Sequence, residues 1–224
     1  MPALAIYDMD KTITRDATWT AFLIHTARTQ APWRLALLPA AVVAAAAYAA
    51  RLIDRAELKQ ATQRILLGSS LSPDAVAAAA RDFADRIVAT GVFEGAIARI
   101  AADRLAGFRP VLATASFRFY AAEIGKRLGF EDVIATESEY AAVGHLLPRI
   151  AGENCYGPAK LRMIEAWMAG QGIARTEANV RFYSDHVSDA PALEWADEAF
   201  AVNPHAPLRK LAAERGWTIL DFES

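Results

Sequence analysis

Hydrophobic and polar positions divide the chain into two regimes. In residues 1–14, and again from about residue 92, short apolar runs alternate with amphipathic stretches. Residues 4–7 form a compact apolar run, the signature of a strand buried on both faces. Residues 109–116, 133–136, 179–185, 199–202 and 217–220 read as further strands. Between them the spacing predicts helices over 97–105, 120–128, 158–168 and 207–215, with Gly107 and Gly129 as stops. Residues 137–152 read as a hairpin or loop excursion. Strands alternating with helices imply an α/β fold: a mostly parallel sheet with helices on both faces.

Residues 15–91 have a different pattern. They are alanine-rich and helical in period, with few strand-like runs. Asp16 is positioned to cap a helix through Trp19, Phe22 and Leu23. Residues 58–67 and 73–87 read as two more helices, the second with Ser72 as N-cap and Pro73 at its first position. No charge falls between Arg34 and Arg51. A membrane span needs about 20 apolar residues. This run is shorter, rich in weakly apolar alanine, and broken by Pro39. The expectation is a buried or interfacial helix, with the core placement preferred. Residues 15–91 thus form a helical cap inserted after the first strand of a core made from residues 1–14 and 92–224.

A formal net charge of −2 gives no electrostatic case for a nucleic-acid partner. The single cysteine, Cys155, excludes an intramolecular disulfide and fits a reducing, cytoplasmic setting. It reads as a packing residue. The first residues enter a strand without a basic segment and apolar core, so no signal peptide is expected.

Candidate chemistry lies at the strand ends, where open α/β sheets bind ligands. The first strand ends on Asp8, with Asp10 two positions on and Thr12 two after that. Two carboxylates this close repel, so a divalent cation or a lysine must balance them. Thr114 and Ser116 end the second strand of the core, and Asp185, followed by Asp189, ends a later one. Lys160 sits in the first turn of a helix. Carboxylate pair, hydroxyl, lysine, carboxylate pair is an order suited to phosphoryl transfer. One aspartate attacks phosphorus, Mg²⁺ held by acidic groups neutralises it, and the hydroxyl and ammonium hold its oxygens. A second aspartate protonates the leaving oxygen and then activates water.

These residues resemble the motifs of the haloacid dehalogenase superfamily of phosphatases. Asp8-Met9-Asp10-Lys11-Thr12 is similar to its first motif, Thr114 to its second, Lys160 to its third, and Asp185 to Asp189 to its fourth. The subgroup that includes phosphoserine phosphatases also carries a helical insertion after the first motif. The stretches 153–160 and 183–185 resemble it too. The resemblance implies a Rossmann-like core, Mg²⁺ bound by Asp8, Asp10 and Asp185, and an aspartyl-phosphate intermediate. It implies catalytic roles for Asp8, Asp10, Thr114 and Lys160, with Asp189 behind the lysine. Thr12 and Ser116 are candidates for substrate contact. Two departures stand out: Lys11 replaces a frequent glycine, and Thr114-Ala115-Ser116 lacks the glycines that follow the serine in phosphoserine phosphatases. The expected substrate is a small phosphate monoester. The uncharged interval of the insertion is also similar to that of the phosphatidylglycerophosphatase C family, which acts on a membrane lipid phosphate. A lipid-phosphate phosphatase at a membrane surface, and a non-catalytic binding module, are therefore the alternatives.

Overall fold

The computed structural model describes residues 1–223. Its sheet is built from β1 (Ala3–Tyr7), β2 (Arg109–Phe117), β3 (Asp132–Tyr140), β4 (Leu146–Ala151), β5 (Asn179–Ser184), β6 (Glu198–Val202) and β7 (Thr218–Leu220). The order is β4-β3-β2-β1-β5-β6-β7. All neighbours are parallel except β3 and β4, which form the antiparallel hairpin at one edge. β1 is central, and the strand pleat sends its side chains to two separate cores. Ala5 and Tyr7 enter one apolar cluster, Leu4 and Ile6 the other.

The first cluster lies under α5 (Glu94–Leu105) and α6 (Arg118–Leu128). The second lies under α7 (Pro158–Gly170), α8 (Ala190–Trp195) and α9 (Ala206–Arg215). Within the first, the rings of Tyr7, Tyr183 and Phe200 stack at 4.2 and 4.5 Å across three strands. The hydroxyls of Tyr7 and Tyr183 both donate to Asp103 Oδ2, at 2.6 and 2.7 Å, and Arg181 donates to Oδ1 at 2.7 Å. Asp103 is buried, so these donors make its charge tolerable.

Residues after β1 leave the sheet through a short paired stem. Thr14 bridges Val92, Arg15 N–H donates to Gly91 O, and Phe93 N–H donates to Ile13 O. The inserted helices are α1 (Thr18–Gln30), α2 (Leu38–Ala49), α3 (Arg55–Leu67) and α4 (Pro73–Thr90). α3 starts with a capping box between Asp54 and Glu57, and Ser72 caps α4 as expected. The insertion has no apolar core of its own. Phe22 of α1 and Phe83 of α4 join the same cluster as Phe117 and Tyr120, with Phe22 and Tyr120 stacked at 4.5 Å.

Two expectations fail in the insertion. Residues 34–51 are not one core helix. Pro32–Leu37 is a 3₁₀ turn, and Pro39 sits in the first turn of α2, where its missing N–H costs nothing. No residue of α2 is buried, and Val42 and Val43 are 65% and 68% exposed. Hydropathy marks a run as apolar but does not say which surface covers it. The other failure is Asp16, which does not cap α1. Asp10 does, its Oδ1 accepting from Thr18 N–H at 2.9 Å.

The Asp103 network gives a direct test of what joins α5 to the sheet. Asp103→Ala leaves the buried Tyr7 hydroxyl without its acceptor and removes one carboxylate partner each from Arg181 and Tyr183, and is expected to cost about 3 kcal/mol in urea denaturation. A loss below about 1 kcal/mol would show that the network adds little.

Candidate active site

Asp8 continues β1 by one residue, its N–H donating to Tyr183 O at 2.9 Å. The chain then folds around the carbonyl of Met9, which accepts from the amides of Ile13 and Thr14 at 2.9 and 3.0 Å. Lys11 takes the left-handed conformation, φ 62°, that this turn needs. A glycine would adopt it without the cost of about 1–2 kcal/mol that a Cβ incurs. The turn brings Thr12, fully buried, between two carboxylates. Its hydroxyl lies 3.5 Å from Asp8 Oδ2 and 3.4 Å from Asp185 Oδ1, and accepts from Asp185 N–H at 3.0 Å. Thr12 therefore positions the two aspartates; it does not line the cavity.

Lys160 reaches the same point from the first turn of α7. Gly157 precedes that helix with φ 58° and ψ −135°, a backbone region essentially restricted to glycine. The Lys160 ammonium donates to Asp8 Oδ1 at 2.7 Å and to Asp189 Oδ2 at 2.6 Å. Ser184 also donates to Asp189 Oδ2, at 2.8 Å, while Asp189 Oδ1 is buried without a partner. Burial works against the ammonium, but Asp189 and Asp8 outweigh it and raise its pKa, so Lys160 stays charged.

Asp10 faces the other way along the same cavity. Its Oδ1 takes Thr18 N–H and Oγ, at 2.9 and 2.7 Å, and its Oδ2 takes Ser116 Oγ at 2.9 Å. Ser116 thus holds Asp10, and its amide donates to Thr114 Oγ1 at 3.0 Å. Thr114 is buried, and Ala115 is the residue of that motif that lines the cavity. The cavity holds about 250 Å³ and is lined by Asp8, Asp10, Lys160, Asp185 and Asp189, with Ala17 and Arg55 from the insertion. Arg55 and Lys59 carried no readable signal, because both reach the site only through the packing of α3. Lys59 is buried, and its ammonium donates to Ala115 O and Asn154 Oδ1. Cys155 is buried, and burial pushes its thiol up to about 12, consistent with packing rather than reactivity.

The family model for haloacid dehalogenase-like hydrolases matches residues 5–194, which include every one of these groups. The chain belongs to that family. A phosphoserine phosphatase of Mycobacterium tuberculosis is 33% identical over 138 residues, 62% of this chain and 44% of that protein. A histidinol-phosphatase of Neisseria meningitidis is 27% identical over 125 residues, 55% of this chain and 56% of that protein. The chain spans about half the length of these curated relatives. A solved protein of unknown function from Bordetella pertussis Tohama I is 27% identical, with a TM-score of 0.87 over 99% of both chains.

Members of this family generally use Mg²⁺, and the donor set here fits it. Lys160 bonds Asp8 and Asp189, and Asp185 lines the same cavity without a bond to it. Burial first, then the neighbouring carboxylates, push Asp8 up to about 7 against the pull of Lys160. Burial and Asp189 push Asp185 up to about 6. A divalent cation relieves that excess of negative charge. Among the described residues no three His, Cys, Asp or Glu side chains form a metal cage. Mg²⁺ does not require one, since it keeps waters and takes one or two carboxylates plus substrate oxygens. Asp8 and Asp185 would be those carboxylates, and Asp10, whose side chain caps α1, would offer its backbone carbonyl.

The raised carboxylates set a pH dependence. Their contribution to stability is present below the unfolded value near 3.8 and is lost as pH rises through about 6 to 7. Mg²⁺ binds the ionised form. The rise in Tm caused by millimolar Mg²⁺ is therefore expected to grow between about pH 5 and about pH 8. Asp185→Asn should remove most of that rise, and Asp10→Asn should keep it. Equal losses in the two variants would contradict the division of roles.

Proposed function

We propose that the protein is a Mg²⁺-dependent phosphatase that hydrolyses a small phosphate monoester through an aspartyl-phosphate on Asp8. The observation that carries this reading is the Asp8 carboxylate, held by a buried lysine at the mouth of a cavity, with a second carboxylate two residues on that is oriented separately. Asp8 attacks phosphorus, and the bond to the leaving oxygen breaks. Asp10 gives that oxygen a proton. Water then attacks the aspartyl-phosphate, Asp10 takes a proton from it, and phosphate leaves with Asp8 restored. Bound Mg²⁺ would supply charge neutralisation for the phosphoryl oxygens. Lys160 holds Asp8 in place and adds positive charge there, while Asp189 and Ser184 fix the lysine. Thr18 and Ser116 fix the plane of Asp10 at the cavity wall. Ala17 and Arg55 of the insertion line the cavity beside these groups.

The names of the relatives, phosphoserine phosphatase and histidinol-phosphatase, support a small phosphorylated substrate. The intact set of Asp8, Asp10, Lys160 and Asp185 favours this reading over a binding module of the same fold. Steady-state hydrolysis of an aryl phosphate tests it. Asp8→Asn should lower kcat by about 10³-fold or more, and Asp10→Asn by about 10²–10⁴-fold. Removing Mg²⁺ with a chelator should abolish turnover of the wild type. Substantial activity in Asp8→Asn would overturn the assignment of the nucleophile.

A further inference from the structure

Beside the phosphate cavity lies a larger one of about 410 Å³, within the size range of small-molecule sites. The two share Asp10, Ala17, Arg55 and Ala115 in their walls, so the second opens where a leaving group would sit. Its inner end is polar, with Ser116 and Lys59, and the Lys59 ammonium is already bonded to Ala115 and Asn154. Away from that end Trp19 and Leu23 of α1 and Leu58 and Leu66 of α3 make the walls mainly apolar, with Thr20 and Thr62 among them. Its roof is the side of α2 that carries Leu38, Ala41 and Ala45.

The outer side of that same helix is uncovered: Val43 is 68% exposed, and Trp33 in the turn before α2 and Leu52 just after it are 65% and 77% exposed. Pro32–Ala49 is apolar enough to cross a membrane and none of it is buried. It is nevertheless a 3₁₀ turn followed by a 12-residue helix. Such a helix rises about 18 Å, short of the roughly 30 Å hydrocarbon core. It is also tied down as the roof of the cavity, so it is suited to lie on a membrane rather than to cross one. The flanks fit that geometry. The guanidinium of Arg34, bonded through Nη1 to Ile65 O at 3.0 Å, lies over the exposed Trp33 ring at 4.6 Å, and Arg51 follows the other end. Between Asp16 and Asp54 the chain carries Arg28, Arg34 and Arg51 and no acidic residue. Apolar side chains between aromatic and cationic anchors are complementary to an anionic lipid surface.

We infer that the leaving group is an alcohol with an apolar chain, seated under α2, and that residues 32–52 rest on the anionic bilayer that holds this substrate. The inference rests on the phosphatase reading and names the substrate class for that site. α2 is then a partition: its outer side meets lipid and its inner side meets the chain of the substrate.

Two measurements on the full chain test it. In sedimentation with vesicles, binding should be roughly tenfold tighter when about a third of the phosphatidylcholine is replaced by phosphatidylglycerol. Val43→Glu combined with Leu52→Glu should release the protein while leaving its Tm and its hydrolysis of a soluble aryl phosphate unchanged, because both side chains point outward, away from the cavity. In a series of n-alkyl phosphates below their micelle concentrations, kcat/KM should rise about two- to fourfold per methylene. Wild-type protein that ignores both kinds of vesicle, or a flat alkyl series, overturns the inference while leaving aryl phosphate hydrolysis and the phosphatase reading intact. Hydrolysis of no ester at all overturns the phosphatase reading itself. A dimer that the same two substitutions split, in place of vesicle binding, assigns the face to a second copy of the chain and overturns the inference as well.

Discussion

The buried ammonium of Lys160 is the contact on which the site depends. It is 2% exposed and bonds two carboxylates from different parts of the chain, Asp8 and Asp189. Removing one partner of such a pair leaves an uncompensated buried charge, which costs about 3–5 kcal/mol. The surrounding structure is arranged to meet this condition. Gly157 lets α7 begin where the lysine reaches the end of β1. Ser184 holds Asp189, and Thr12 spans Asp8 and Asp185. Burial first, and the neighbouring carboxylates after it, push Asp8 and Asp185 up, and a cation bound between them would relieve both.

The site and the insertion are mechanically joined. Asp10 belongs to the first motif, yet its carboxylate caps α1 through Thr18 and also takes Ser116 from the end of β2. The rings of Phe22, Phe83, Phe117 and Tyr120 bury against one another across the same boundary. The inserted helices therefore share the core that positions the catalytic groups. They also provide walls for both cavities.

Much of this was legible in the sequence. The central strand β1 is buried on both faces, so residues 4–7 read as an apolar run, and the carboxylates that follow β1 and β5 stand out. Gly129 and Ser72 marked helix ends through local backbone chemistry and do so in the structure. Tertiary contacts were not legible. Asp10 caps a helix eight residues away, and Lys59 meets a carbonyl 56 positions on. The six residues of α8 are too few to show a helical period. The uncharged run before Arg51 looked like core because composition cannot distinguish an apolar face against protein from one left bare. Nor could the sequence show that the hydroxyl of Thr114 accepts from the amide of Ser116, a contact that orients it and leaves its own O–H to donate.

The central claim is that Asp8 carries the phosphoryl group between the two halves of the reaction. Mixing the Mg²⁺-loaded protein with an aryl phosphate, quenching in acid within the first turnover, and mapping the digested chain by mass spectrometry tests it most directly. The account requires one phosphoryl group on the peptide that contains Asp8, lost on treatment with hydroxylamine and formed at least as fast as turnover. A quenched protein that turns over the ester yet carries no phosphate, or carries it on any other residue, would contradict it.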